Sequence, residues 1–129
     1  MNVAMEMHDS FVLELTQSED GSGFILFRAV VHRSRGVPCT DPGDSGWQKV
    51  RMSFTGMTMQ GEIQFPGEYA LHGKLAIDGK PDNGLIVIPQ HCVGSVNLTI
   101  CVSPNFEDVT IKAASISIVA EGDFEPYSV

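Results

Sequence analysis

Helical periodicity is nearly missing from these 129 residues. Almost no stretch repeats apolar residues at the three- and four-residue spacing of a buried helix face, which excludes a helical architecture. Long apolar runs are missing too. None approaches the ~18 residues of a membrane-spanning helix, so no membrane partner is expected. Residues 1–7 have neither a basic start nor a long apolar stretch, and no signal peptide is read there. Positive charge is scarce: Lys plus Arg number 8 against 16 Asp plus Glu, for a formal net charge of −8. A surface of that sign repels a phosphate backbone, and the one basic cluster, His32-Arg33-Ser34-Arg35, is too short to reverse it. Nucleic acid is therefore not expected as a partner, whereas a basic protein, a cation or a neutral ligand suits the charge. The cysteines are Cys39, Cys92 and Cys101, an odd number without paired spacing. They read as free thiols in a reducing, cytoplasmic compartment. Asn97-Leu98-Thr99 has the form of a glycosylation acceptor, but it lies inside an expected strand and is taken as chance.

What is present is alternation. Hydrophobic residues make up 43% of the chain, enough for one packed domain over residues 1–129. Short runs of period two end in Gly, Pro, Asn or Asp, the pattern of many short strands. Residues 1–7 read as a loose leader. Residues 9–16 follow as a strand with Phe11, Leu13 and Leu15 on one face. A turn over 18–23 leads into a strand over 24–33, and the two form a hairpin. The longest loop spans 34–46. Strands follow over 47–55 (Val50, Met52 and Phe54 inward), 59–65 (Met59, Ile63, Phe65) and 69–78. A hairpin loop over 78–84 closes the last of these onto 85–88.

The cleanest alternation is 95–102, with Val96, Leu98, Ile100 and Val102 against Ser95, Asn97, Thr99 and Cys101. It places Cys101 outward. After a turn over 103–108, Val109, Ile111 and Ala113 give way to Ile116 and Ile118. A one-residue change of phase inside a strand is the mark of a β-bulge. Residues 122–129 read as an acidic tail. The expected architecture is all-β: a two-layer antiparallel sandwich or jelly roll of about eight or nine strands.

Chemistry-bearing motifs are few. Gly43-Asp44-Ser45-Gly46 matches the start of the nucleophile motif of chymotrypsin-like serine proteases. In that family the serine comes late, after the His and the Asp, across two β-barrels. Here it falls early in a chain too short for both, and Trp47 follows where Gly and Pro would. The tetrapeptide also suits a turn, and spacing cannot establish a triad that is defined by geometry. His8, His32, His72 and His91 form no i,i+2 or i,i+4 pair, so no metal site is expected. Residues 78–84 share only composition with a calcium loop, since Lys80 and Pro81 stand where ligands belong. No cofactor and no catalytic residue is assigned.

The expected interaction surface comprises Phe24, Leu26, Arg28 and Val30, with Trp47, Lys49 and Arg51. The strand over 24–33 is apolar on both faces and needs cover on both, by a loop or by a second copy of the chain. Trp47 shares a face with two cations, as a binding platform would, or packs under the 36–46 loop.

His8-Asp9-Ser10, Val31-His32-Arg33-Ser34, Asp41-Pro42-Gly43 with Gly46-Trp47, and Gly73-Lys74-Leu75-Ala76-Ile77-Asp78-Gly79 together resemble a group of small, uncharacterised bacterial proteins with an all-β fold. The resemblance implies a bacterial cytosolic protein and brings no activity with it. Taken together, the sequence points to a non-catalytic protein-interaction module whose partner is another protein, including a second copy forming a homodimer. The alternatives are a carbohydrate-binding module using Trp47, Tyr69 and Tyr127, or an enzyme with a cross-strand His/Asp/Glu site.

Overall fold

β1 (Asn2–Gln17) starts well before the expected strand, because Ala4, Met5 and Met7 are buried and residues 2–6 pair with β2 (Gly23–Ser34). The segment read as a leader is therefore part of the sheet. The computed structural model describes residues 1–62, 68–102 and 107–127, excepting the side chains of 68–71 and 107. The remaining strands are β3 (Gly43–Thr55), β4 (Thr58–Gln60), β5 (Glu68–Ile77), β6 (Lys80–Pro81), β7 (Ile86–Ile88), β8 (Gln90–Val102) and β9 (Glu107–Pro126). No helix occurs among the described residues. The expected strand end at Ile63 and Phe65 and most of the 103–108 turn lie outside them, as do the side chains of Tyr69 and Leu71.

The strands form one antiparallel path, β6-β5-β8-β9-β3-β2-β1-β7, with β4 on β9. β1 also touches β5 at two residue pairs, Phe11↔Tyr69 and Val12↔Glu68. It meets β7 through Val3, Ala4 and Met5. β1 thus links the β7 end of the path to β5, next to the other end, and the sheet curls around a single core. Phe27, Met5, Ile25, Met52, Leu98, Ile100, Ile111, Ile116 and Ile118 are all wholly buried there.

β1 can serve two neighbours because it bends. Its register with β2 shifts between Glu6 and Phe11 and again between Val12 and Glu14. At the first shift Asp9 takes a positive φ of 66°. Ser10, wholly buried, then substitutes for the ladder: its hydroxyl donates to the Glu6 carbonyl at 2.7 Å and accepts the Val30 N–H at 3.0 Å. The shifts also undo the expected Phe11-Leu13-Leu15 row. Val12 is the residue turned fully into the core, while Leu13 is 36% exposed.

Four more expectations change. Asp78 (φ 51°) and Gly79 (φ 81°) are both left-handed, as a two-residue I′ hairpin requires, so the turn is tighter than 78–84. It joins β5 to β6, and the Asp82 carboxylate, accepting the Leu75 and Gly84 N–H groups, turns the chain away. The 85–88 run then pairs with β1 instead of β5. The long loop shrinks to 35–42, because Gly43 to Gly46 pair with Ser34 to Val31. Cys101 is buried at 7%, since β8 is an inner strand with His72 of β5 and Asp108 of β9 beside it in register. The three thiols are free. The phase change in β9 is present, with Val109 and Ile111 buried before it and Ile116 and Ile118 after it. The extra residue lies on its partner: Gly94 and Ser95 of β8 together face Ala114.

Two stability measurements check this arrangement. Leu98→Ala should cost about 2–5 kcal/mol, and Thr99→Ala, half-buried on the other face, clearly less. Equal losses in paired denaturation curves would contradict the single-sided role of β8. Ser10→Ala should cost roughly 1–3 kcal/mol, because it leaves the Val30 N–H buried without an acceptor. A change within a few tenths would show that the bend does not depend on the hydroxyl.

Candidate functional site

The outer face of β2 carries Phe24, Leu26, Arg28, Val30 and His32, and that of β3 carries Ser45, Trp47, Lys49 and Arg51. They alternate against the wholly buried Ile25, Phe27, Ala29, Val31, Val50 and Met52. The apolar part of this face is already covered within one chain. Leu26 is 9% exposed and Val30 5%. The Arg51 guanidinium lies 4.0 Å from the centre of the Phe24 ring. Leu26 is bracketed in register by Glu14 and Arg51, and Val30 by Glu6 and Trp47.

Trp47 does not pack under the loop. β3 begins before it, so its side chain stands on the sheet, against Phe11 (ring centres 5.9 Å apart) and edge-on to Tyr127 (5.5 Å, 76°). The Arg28 guanidinium sits 4.5 Å from the indole centre and 3.3 Å from the Glu125 carboxylate. Such a cation on an indole contributes about 0.5–1 kcal/mol at an exposed site. Tyr127 reaches Trp47 because the first part of the segment read as an acidic tail, through Pro126, is strand: Trp47↔Glu125 and Gly46↔Pro126 pair, and the Tyr127 N–H donates to the Ser45 carbonyl at 3.1 Å. Gly46 is required for this approach. A Cβ there would lie 2.1 Å from the Glu125 carbonyl oxygen.

Carboxylates surround the aromatic group. Burial raises the Tyr127 phenol above its usual pKa, the nearby charges of Glu6 and Asp9 raise it further, and Arg28 opposes them. Asp123 and Glu125 border a hollow of about 240 Å³ beside Trp47, with Gln48, Lys49 and Glu121. Arg51 donates to Glu121 at 2.7 and 3.3 Å, which holds that carboxyl below its usual range. Arg33 does the same to Asp44 and also lies over the Phe124 ring at 3.7 Å. A larger cavity of about 550 Å³, mostly aliphatic, lies away from this face beside the Asp78–Gly79 turn.

Next to Trp47 a second group converges. Ser45 and His32 are direct cross-strand partners, with Ser45 Oγ 2.6 Å from His32 Nδ1. On the far side of the ring, Glu6 Oε1 lies 3.7 Å from Nε2. No group of three or more His, Cys, Asp or Glu able to hold a metal occurs among the described residues.

Of the expected surface residues, the structure brings Arg28 and Trp47 to one centre. Lys49 lies at its border, and Phe24, Leu26 and Val30 form the packed floor beside it. Sequence reasoning named Tyr127 with Trp47 only as a sugar platform and placed it in a tail; it missed Phe11 and Glu125. The signal for the strand that carries Glu125 up to Tyr127 was Phe124 between Asp123 and Glu125. Comparison with known proteins finds no matching family model, curated protein or solved structure.

The ring of carboxylates is checked by tyrosine titration. In a Tyr69→Phe background the Tyr127 phenol should ionise above the usual value of about 10. Glu6→Gln should bring it down, and Arg28→Gln should move it further up. Ultraviolet absorbance of tyrosinate reads this directly. A phenol indifferent to both substitutions would place the charges elsewhere.

Proposed function

We propose that the protein is an interaction module that docks a basic segment of a partner protein on the face around Trp47 and Tyr127. The observation that carries this reading is the half-exposed aromatic group ringed by Glu6, Asp9, Asp123 and Glu125. Tryptophan, tyrosine and arginine dominate binding energy at protein interfaces. A Lys or Arg of the partner gains from the aromatic edge and from the carboxylates, about 0.5–2 kcal/mol for the cation–π part. The net charge of −8 steers such a partner toward the surface.

Self-association through Phe24, Leu26 and Val30 has less support, because that floor is covered by the chain's own Arg51 and Trp47. A sugar platform also has less support: Trp47 and Tyr127 stand edge to face, and Arg28 lies over the indole. The three free thiols support a reducing, cytoplasmic location, and no helix among the described residues is long and apolar enough to cross a membrane.

Trp47 is the chain's only tryptophan, so it reports on its own site. Titration with a short Lys/Arg-rich peptide should shift its emission saturably. The effect should weaken with added salt. It should be lost in Tyr127→Leu and in the double variant Asp123→Asn, Glu125→Gln. Emission that responds equally to an acidic peptide, or to neither, would refute the reading.

A further inference from the structure

We infer that Ser45 is an activated nucleophile, with His32 as its general base and Glu6 as the positioning residue behind the base. The substrate class is an activated ester with an aromatic group. The inference shares Glu6 and Trp47 with the docking face but rests on the Ser45–His32 pair, which peptide docking does not use, and adduct formation at Ser45 is read separately from peptide binding.

The geometry has three parts. His32 is buried to 8% exposure, yet its Nε2 has no hydrogen-bond partner and faces the Glu6 carboxylate. A buried ring nitrogen aimed at a carboxylate keeps its proton there, which leaves the Nδ1 lone pair for the Ser45 O–H. Ser45 itself is only half-buried, so a reagent, and later a water molecule, reaches the hydroxyl and the Nδ1 side of the base. The order nucleophile, imidazole, carboxylate is that of the serine hydrolase triad, with the two ring nitrogens exchanged. Asp44 takes no part, because both its oxygens are held by Arg33.

The reaction is an acyl transfer. Ser45 Oγ bonds to the ester carbonyl carbon as its proton passes to His32 Nδ1, and Glu6 stabilises the imidazolium. The carbon–oxygen bond to the leaving phenol breaks, and His32 returns the proton to that oxygen. Water then attacks the acyl-serine with His32 again as base, releasing the acid and restoring the Ser45 hydroxyl. Trp47, two residues along on the same face, offers an aromatic wall. General-base catalysis supplies roughly 10²–10⁴-fold, enough for a phenyl ester and not for a peptide bond.

A fluorophosphonate probe tests this: Ser45 Oγ displaces fluoride from phosphorus and His32 takes the proton. Folded protein should acquire one adduct, mapped to Ser45 by peptide mass spectrometry, and none in urea. His32→Gln, checked for native circular dichroism, should label on the order of 100-fold more slowly. Glu6→Gln should label more slowly than wild type, and Glu6→Asp should recover part of the rate at an unchanged melting temperature. A folded wild type without an adduct overturns the assignment. So does equal labelling of folded and urea-unfolded protein, or of other exposed serines such as Ser18. A Glu6→Gln rate equal to wild type removes Glu6 from its role.

Discussion

Everything on the outer face depends on the bend in β1. A strand that ran straight from Asn2 to Gln17 would pair with β2 throughout and could not meet β7 with one half and β5 with the other. The bend costs ladder bonds, and Ser10 offsets that cost with one donated and one accepted bond inside the core. Because the hydroxyl holds the Glu6 carbonyl, the same contact fixes where Glu6 leaves the sheet. Asp9 and Phe11 follow from the same irregularity. Three residues of the candidate site therefore owe their positions to one buried serine.

The second constraint is electrostatic. Arg28, Arg33 and Arg51 all lie on β2 or β3, and each engages a carboxylate: Glu125, Asp44 and Glu121. Two of those carboxylates belong to β9, so the pairs run across the junction that places Tyr127. Three of the chain's eight cations are thereby committed to partners within the protein; each neutralises one carboxylate, so the excess of negative charge is carried by the remaining surface undiminished. Each arginine also lies over an aromatic ring, Trp47, Phe124 or Phe24. The planar guanidinium serves both contacts at once, which a lysine ammonium does less well.

Much of the fold was legible because its signals are local. The β8 row Val96-Leu98-Ile100-Val102, the first hairpin and the inward row of β3 follow from period two alone. What failed was whatever depended on distant partners. Met5 and Met7 read as a leader because their cover comes from strands far along the chain. Phe11 and Leu13 changed sides because a bulge is invisible in composition. The 85–88 run looked like the return of a hairpin, since nothing local distinguishes β1 from β5 as its neighbour. The candidate site was half legible: Trp47 and Arg28 stand on an obvious outer face. The place of Tyr127 against Trp47, the role of Glu6 and the His32–Ser45 pair became visible only once register brought distant positions together.

The place of β9 has a consequence for how the chain is made. β9 lies between β3 and β8, pairing with Thr55 through Ser115 on one side and Val102 through Glu107 on the other. Until residues 107–126 leave the ribosome, both neighbours present an open edge, and open edges are templates for joining other chains. The last long strand is therefore a wedge that must be inserted: its pairing with β8 is local, but its pairing with β3 is distant in sequence and forms slowly. Synthesis of this protein passes through an interval in which most of the core residues exist but β3 and β8 still lack the strand between them.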